Sequence, residues 1–175
     1  MSLYTDSYEV GQELKLFSAY RKGTSMILDP AELLVTVADE PHPSDDKGYS
    51  KSKYTSYELA EIQTNGSEYI LNGSDRPFMW YLKLMLDGNR RHHVKPIIEN
   101  AMWYNREQKG WYVEWHEMAD KLQNLSEKML AQDVAPMLDA LKPSTVKRKK
   151  TAGYTKKPLY ASGELFKAVR VEVLL

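Results

Sequence analysis

The apolar residues of this chain change their period near residue 98, and that change limits the folds open to it. Up to that point the pattern repeats at every second residue. Leu14, Leu16, Ser18 and Tyr20 alternate with Lys15, Phe17 and Ala19 ahead of an Arg21-Lys22-Gly23-Thr24 turn. Leu33, Val35 and Val37 alternate with Leu34, Thr36 and Ala38 before the breaker Glu40-Pro41-His42-Pro43. Tyr54 to Glu58 and Glu61 to Thr64 read as two shorter strands, and Asn65-Gly66 is a hairpin signal ahead of Glu68 to Leu71. Trp80, Leu82, Leu84 and Leu86 give the cleanest alternation, after which Asp87-Gly88 turns the chain into Arg90 to Ile97. A period of two marks half-buried strands, so residues 1–98 are expected to form an antiparallel β-sandwich of six or seven short strands. A helix over residues 8–20 competes locally, and Gly11 weighs against it.

After Ile98 the pattern lengthens. Trp111, Val113 and Trp115 alternate as one short strand behind Lys109-Gly110. Met118, Leu122, Leu125 and Met129 then fall on one stripe of an amphipathic helix. Glu117 and Asp120 suit its positive N-terminal end and Lys128 its negative C-terminal end. Pro136 is expected to end or kink it, with Met137, Leu138 and Leu141 able to continue the apolar face. The expectation is an α+β chain with a boundary near residues 98–105: a sandwich over 1–98, then a small α/β part over 99–175 with one long helix. No Gly/Ser tract marks the linker, so the two parts should pack together.

Charge divides the chain differently. Seven lysines and arginines and no acid lie between Lys142 and Lys157: Lys142, Lys147, Arg148, Lys149, Lys150, Lys156 and Lys157. Residues 1–141 carry fifteen basic against twenty-two acidic side chains, a net of −7 hidden beneath an overall charge of zero. Such polarity points to a macromolecular partner or a second copy more than to a small substrate. The chain has no cysteine, which excludes disulfides, thiolate zinc sites and cysteine nucleophiles, and fits a reducing cytosol. No apolar run approaches a membrane span and the N-terminus lacks a signal pattern, so a soluble, unsecreted protein is expected. Twelve tyrosines and four tryptophans are ordinary core residues for the most part, although such rings also favour interfaces.

Two stretches resemble known families. The segments VGQELKLFSAYRKGTSMILDPAELLVTVADEP and NGSEYILNGSDRPFMWYLKLMLDGN look like the immunoglobulin-like β-sandwich modules of phage structural proteins. The likeness lies in the Asp29-Pro30 step, the Gly66 to Tyr69 strand entry and the Trp80 strand, and covers about half the chain. More specific is LKPSTVKRKK followed by KKPLYASGELFKAV, which resembles the neck and tail-completion (virion-morphogenesis) proteins of tailed bacteriophages. Leu141, Pro143, Ser144, Thr145, Val146, Lys147 and Arg148 match one segment, and Pro158, Leu159, Ser162, Gly163 and Leu165 the next. The resemblance covers about residues 105–175 and departs from the family at Ala161, where an acid is usual, and at Ser162, which replaces threonine. Relatives also continue through further strands, so the sheet here is expected to be small or to borrow a strand from the first half or a neighbouring copy.

The residues have a plain reading as well. Ala161-Ser162-Gly163 suits a tight turn or cap, Glu164 to Val169 a short helix entering a Val169-Val171-Val173 strand, and Pro143-Ser144-Thr145 a helix start or turn. The basic run suits a solvated loop over 142–157 that carries Gly153 and Tyr154. Arg90-Arg91-His92-His93 sits on an expected strand, where adjacent histidines face apart and cannot share a metal. Asp39, Glu40, Asp45 and Asp46 lack the spacing of a calcium loop, and no metalloprotease, phosphate-loop or serine-elbow motif occurs. No catalytic residue, cofactor or metal is expected.

The resemblance implies a structural protein of the virion, made in the host cytoplasm and placed at the head–tail junction. It would form a ring against portal, adaptor or tail proteins. The alternative is a nucleic-acid-binding accessory protein whose basic loop 147–157 tracks DNA phosphates without reading bases.

Overall fold

The structure, a computed structural model, describes residues 10–14, 26–42, 54–65, 77–88, 90–138, 143–151, 153 and 164–174. They form an α+β fold of two three-stranded sheets and seven helices. The first sheet has the order β1-β3-β6, from Gln12–Leu14, Glu32–Val37 and Val169–Leu174, all antiparallel. The second has the order β2-β5-β4, in which Met26–Ile27 runs parallel to Gly110–Val113, and Gly110–Val113 is antiparallel to Met102–Asn105.

The expected strand at Leu33, Val35 and Val37 is β3, and the three side chains are buried. Their partners in β6 are Val173, Val171 and Val169, so two apolar rows lie in register on one face. The strand expected over 14–20 is described only to Leu14, within β1. Glu68 to Leu71 lies outside the described residues.

Four expected strands are helices instead. Tyr54 to Thr64 folds as α1, Ser56–Asn65, because Thr55 and Glu58 form a reciprocal cap. The Thr55 N–H donates to Glu58 Oε2 at 2.8 Å and the Glu58 N–H donates to Thr55 Oγ1 at 3.1 Å. The alternating run at residues 80–86 is α2, Phe78–Gly88. Phe78, Met79, Leu82 and Leu86 are buried, whereas Trp80 and Leu84 are exposed, which is a helical stripe and not a strand face. Arg90 to Ile97 is a π turn, Arg90–Val94, leading into α3, Lys95–Asn100. Among the described residues no immunoglobulin-like sandwich is formed.

The amphipathic stripe appears where expected, in α4, Trp115–Met129, with Met118, Leu122 and Met129 buried and Leu125 half-buried. Trp115 begins this helix and does not extend β5; its indole N–H donates to Asp29 O at 2.7 Å. The helix stops one residue after Pro136. A second π turn, Leu130–Val134, precedes α5, Ala135–Met137, and Leu138 then turns extended. The two π turns share a cause. Each finishes two residues before a proline, Pro96 or Pro136, whose ring crowds the carbonyl four residues back and whose nitrogen has no hydrogen to donate. Widening the turn relieves both problems.

The boundary expected near 98–105 does not separate two cores. β3 pairs with β6 along its whole length, α2 packs on β1 and on α4, and α4 packs on β6. The rings of Phe78 and Phe166 meet at 5.9 Å, joining α2 to α7, Glu164–Lys167. One buried cluster runs through both expected parts. The sheet is completed by a strand from the first half, one of the options the sequence left open.

Candidate functional site

The cationic segment is ordered by ordinary helix chemistry. The stretch expected as a loop forms α6, Pro143–Thr151, over most of its basic run. Pro143 occupies the first helical residue, where a missing N–H costs nothing and its fixed φ suits a helix. Lysine and arginine are good helix formers. Arg148, Lys149 and Lys150 fall in the last turn, where positive charge complements the helix dipole. Thr151 Oγ1 donates to Lys147 O at 3.1 Å, and the Gly153 N–H donates to Lys150 O at 3.0 Å. Gly153 has φ of 75°, so it stops the helix in the left-handed conformation that glycine tolerates.

Lys147, Arg148 and Lys150 are exposed and Lys149 is half-buried. None of the described side chains of α6 is buried, so the helix lies on the surface. Among the described residues, no acidic side chain pairs with Lys147, Arg148 or Lys150 in an ion pair. Successive positions turn by about 100° around a helix, so these charges surround the rod and do not form one stripe. Such a surface attracts polyanions or acidic protein faces without a preferred rotation.

Lys142, Lys156, Lys157, Pro158, Ser162 and Gly163 lie outside the described residues. Leu165 is buried in α7 and serves the core. The short helix expected from Glu164 and the strand from Val169 are both present, as α7 and β6.

A second surface lies outside the sequence expectations. β4 and β5 form a hairpin carrying an aromatic pair on each face. Trp103 stacks on Tyr112 at 5.4 Å, and Tyr104 meets Trp111 edge-on at 5.3 Å. Trp103 and Tyr104 are 46% and 42% exposed, unusual for rings of this size. The turn is held by Asn105 Oδ1, which accepts from the N–H groups of Glu107 and Gln108 at 2.9 and 3.0 Å, and Lys109 takes a φ of 50°. Gly110 is required by contact, since a Cβ there would lie 2.4 Å from Leu28. The available sequence signal is the repeat of Trp-Tyr on both sides of a polar turn, at 103–104 and 111–112.

The histidines lie apart in the fold. His92 and His93 are exposed in a π turn, not on a strand, and no group of three possible ligands occurs among the described residues. Asp39 and Glu40 are exposed; Asp45 and Asp46 are outside the described residues. His42 is different. Its Nδ1 lies 3.0 Å from Ser56 Oγ, at the start of α1. Burial holds the imidazole pKa below its ordinary value, and the Glu164 carboxylate pulls weakly the other way. Ser56 is buried and its N–H donates to Glu40 O at 2.9 Å, so this cluster fastens the chain after β3 to α1.

No described helix is long and apolar enough to cross a membrane. No family model, curated protein or solved structure matches the chain.

Proposed function

We propose that this chain is a structural virion protein of a tailed bacteriophage, a neck, connector or tail-completion component that assembles as a ring at the head–tail junction. The observation that carries the reading is the order of pieces in the C-terminal part. A short strand at Gly110–Val113 is followed by the amphipathic helix α4, then by the Leu141 to Arg148 segment, and the Pro158…Ser162-Gly163 segment precedes α7 and β6. That order is the one the resemblance to neck and tail-completion proteins rests on.

Two surfaces suit such a role. A ring joins unlike faces of successive copies, so a cationic face on one copy needs an acidic one on the next. Helix α6 supplies the first, and the net −7 of residues 1–141 supplies the second. The exposed Trp103 and Tyr104 add large rings of the kind that anchor protein contacts to portal, adaptor or tail proteins. No reaction is assigned.

The test is add-back. Purified protein is mixed with DNA-filled heads from lysates lacking it, and the particles are imaged. Ring density at the neck and recovery of tail joining are expected. Normal particles without the protein, or no association at any ionic strength, overturn the reading.

A second reading places α6 on DNA phosphates, favoured by its exposed Lys147, Arg148 and Lys150. It requires binding to arbitrary duplex that weakens steeply with salt. Replacing residues 147–150 by alanine should flatten the log–log salt slope by about 3 to 4, roughly one for each phosphate the helix no longer neutralises. An unchanged slope rejects it.

A further inference from the structure

We infer that the outer edge of β4 joins two copies of this chain, each laying its own β4 antiparallel to the other's, with Trp103 opposite Trp103 on a twofold axis. This inference is independent of the head–tail reading.

Among the described residues, β4 ends its sheet, packing on β5 along one side and, at its start, on the end of α3. The Glu114 N–H donates to Ala101 O at 2.8 Å, which makes that pair a hydrogen-bonded one. Hydrogen-bonded pairs alternate along an antiparallel ladder, so Trp103 and Asn105 spend their backbone groups on Tyr112 and Gly110. Met102 and Tyr104 therefore turn theirs away from β5. An independent contact agrees: the carbonyl of Trp111, which lies opposite Tyr104, accepts from the Leu28 N–H at 2.9 Å on the far side of β5. Among the described residues nothing takes the outward backbone groups of Met102 and Tyr104, and the side chains of Trp103 and Tyr104 are exposed there. β4 also holds no charge and no proline, two of the devices that keep an edge from pairing.

This edge fits its own twofold image. With Trp103 opposite Trp103, Met102 of each copy exchanges both backbone hydrogen bonds with Tyr104 of the other, so all the outward groups of the two strands are paired. The two Trp103 rings then meet in a non-hydrogen-bonded pair, where opposing side chains approach most closely. Each stacks on its own Tyr112 at 5.4 Å and 22°, which leaves its other side to the second copy. A row of four rings results, Tyr112-Trp103-Trp103-Tyr112. On the opposite face of the sheet Tyr104, already against Trp111, gains the Met102 thioether of the second copy. The hairpin tip carries Arg106, exposed and without an ion pair among the described residues. This register sets it beside the end of the second copy's α3, where Glu99 is exposed. Sliding one strand by two residues sets Met102 against Arg106 in the turn, or Tyr104 against Asn100 in α3. Sliding it by one sets outward groups against inward ones. One antiparallel register keeps its backbone bonds within β4, and it joins two three-stranded sheets into one of six.

The strand is short, Met102–Asn105, so the rings supply more of the affinity than the backbone does. A contact of this size lies at the small end of specific interfaces, and the dimer should therefore form only as concentration rises.

The experiment measures the mass of the full chain by sedimentation over a wide concentration range. A concentration-dependent dimer is expected. Trp103→Lys and Trp103→Asp each set like charges face to face on the twofold axis, and each alone should weaken the dimer tenfold or more. Mixing the two variants should restore association to within a few-fold, because opposite charges then face each other. Arg106→Glu should weaken it a few-fold. Trp103 and Arg106 are exposed, so these variants should fold, and circular dichroism verifies it. Register is read separately, since the chain has no cysteine: Trp103→Cys should form a disulfide-linked dimer on oxidation, and Glu107→Cys at the hairpin tip should not. A single-chain mass at every concentration, leaving the rings to another protein, overturns the inference. So does a dimer indifferent to Trp103→Lys, or a mixture of the two charged variants that fails to associate.

Discussion

Helices α2 and α4 pack against each other and against opposite edges of one sheet, α2 on β1 and α4 on β6. Their inner faces are alike: Phe78, Met79, Leu82 and Leu86 in one, Met118, Leu122 and Met129 in the other, all buried. The outer faces differ. That of α4 is polar, with His116, Glu117, Asp120, Asn124, Glu127 and Lys128 exposed. That of α2 presents Trp80 and Leu84, relieved by Lys83 bridged to Asp87 at 3.2 Å. A polar back face states which way a helix points. Without one, only the surrounding structure decides, and the leftover apolar surface stays exposed.

The largest effect is expected where that direction is plainest. Leu122 is fully buried in α4, and Leu122→Ala should cost about 2–5 kcal/mol through lost burial and a residual cavity. Half-buried Leu125 should cost clearly less. Urea unfolding of both variants measures the difference, and equal losses would break the single-stripe account of α4.

The same comparison inside α2 separates helix from strand directly. Leu82 is 1% exposed and Leu84 is 43% exposed. In a strand they would share one face and cost alike on truncation. In the helix, Leu82→Ala should cost about 2–5 kcal/mol and Leu84→Ala no more than about 0.5 kcal/mol. Comparable losses at the two sites would mean that α2 is not a helix packed as described.

That distinction explains what could be read from the chain. The β3 strand, the α4 stripe and the α7–β6 passage are legible because apolar and polar residues separate cleanly there. The run Phe78 to Leu86 is apolar at nearly every position, so periods of two and of four both fit it, and its length of nine residues allows either. α1 is legible in principle: Thr55-Ser56-Tyr57-Glu58 is a capping box, although the residues after it also alternate well enough to suit a strand. At the candidate site the charges are plain, but their placement on a helix is not. Lysine suits both loop and helix, and a glycine such as Gly153 marks a flexible loop as readily as a helix stop. The β3–β6 pairing joins residues more than a hundred positions apart, which no local pattern encodes.

The cap gives a smaller and sharper test. Thr55→Ala removes the acceptor for the Glu58 N–H, while the backbone N–H of residue 55 can still donate to the Glu58 carboxylate, so half of the reciprocal cap is lost. About 1 kcal/mol of stability should be lost, with Thr55→Ser nearly neutral. Because α1 packs chiefly on β3 and α7, hydrogen exchange should quicken in α1 while the middle of α4 keeps its protection. Loss of protection in α4 of equal size would show that the two sides of the core open together.

The smallest effect concerns pH and the side of the core on which α2 lies. His42 bonds Ser56 at 3.0 Å, feels Glu164 on α7, and α7 in turn sets Phe166 against Phe78 of α2. Burial lowers the His42 pKa from its ordinary value of about 6.5, and the attraction of Glu164 only partly offsets this. Well above pH 6.5 the imidazole is neutral in folded and unfolded chains, and its contribution to stability is intact. As pH falls through that value the unfolded chain takes up the proton first, so stability declines. The decline ends below the depressed folded pKa, where both states are protonated. Every other ionisable group is common to both proteins, so the informative quantity is the wild type minus His42→Gln. That difference in urea midpoint should shrink between pH 7 and pH 5. A difference that grows as pH falls would mean that Glu164, and not burial, governs His42, and that α7 is held to α1 by charge.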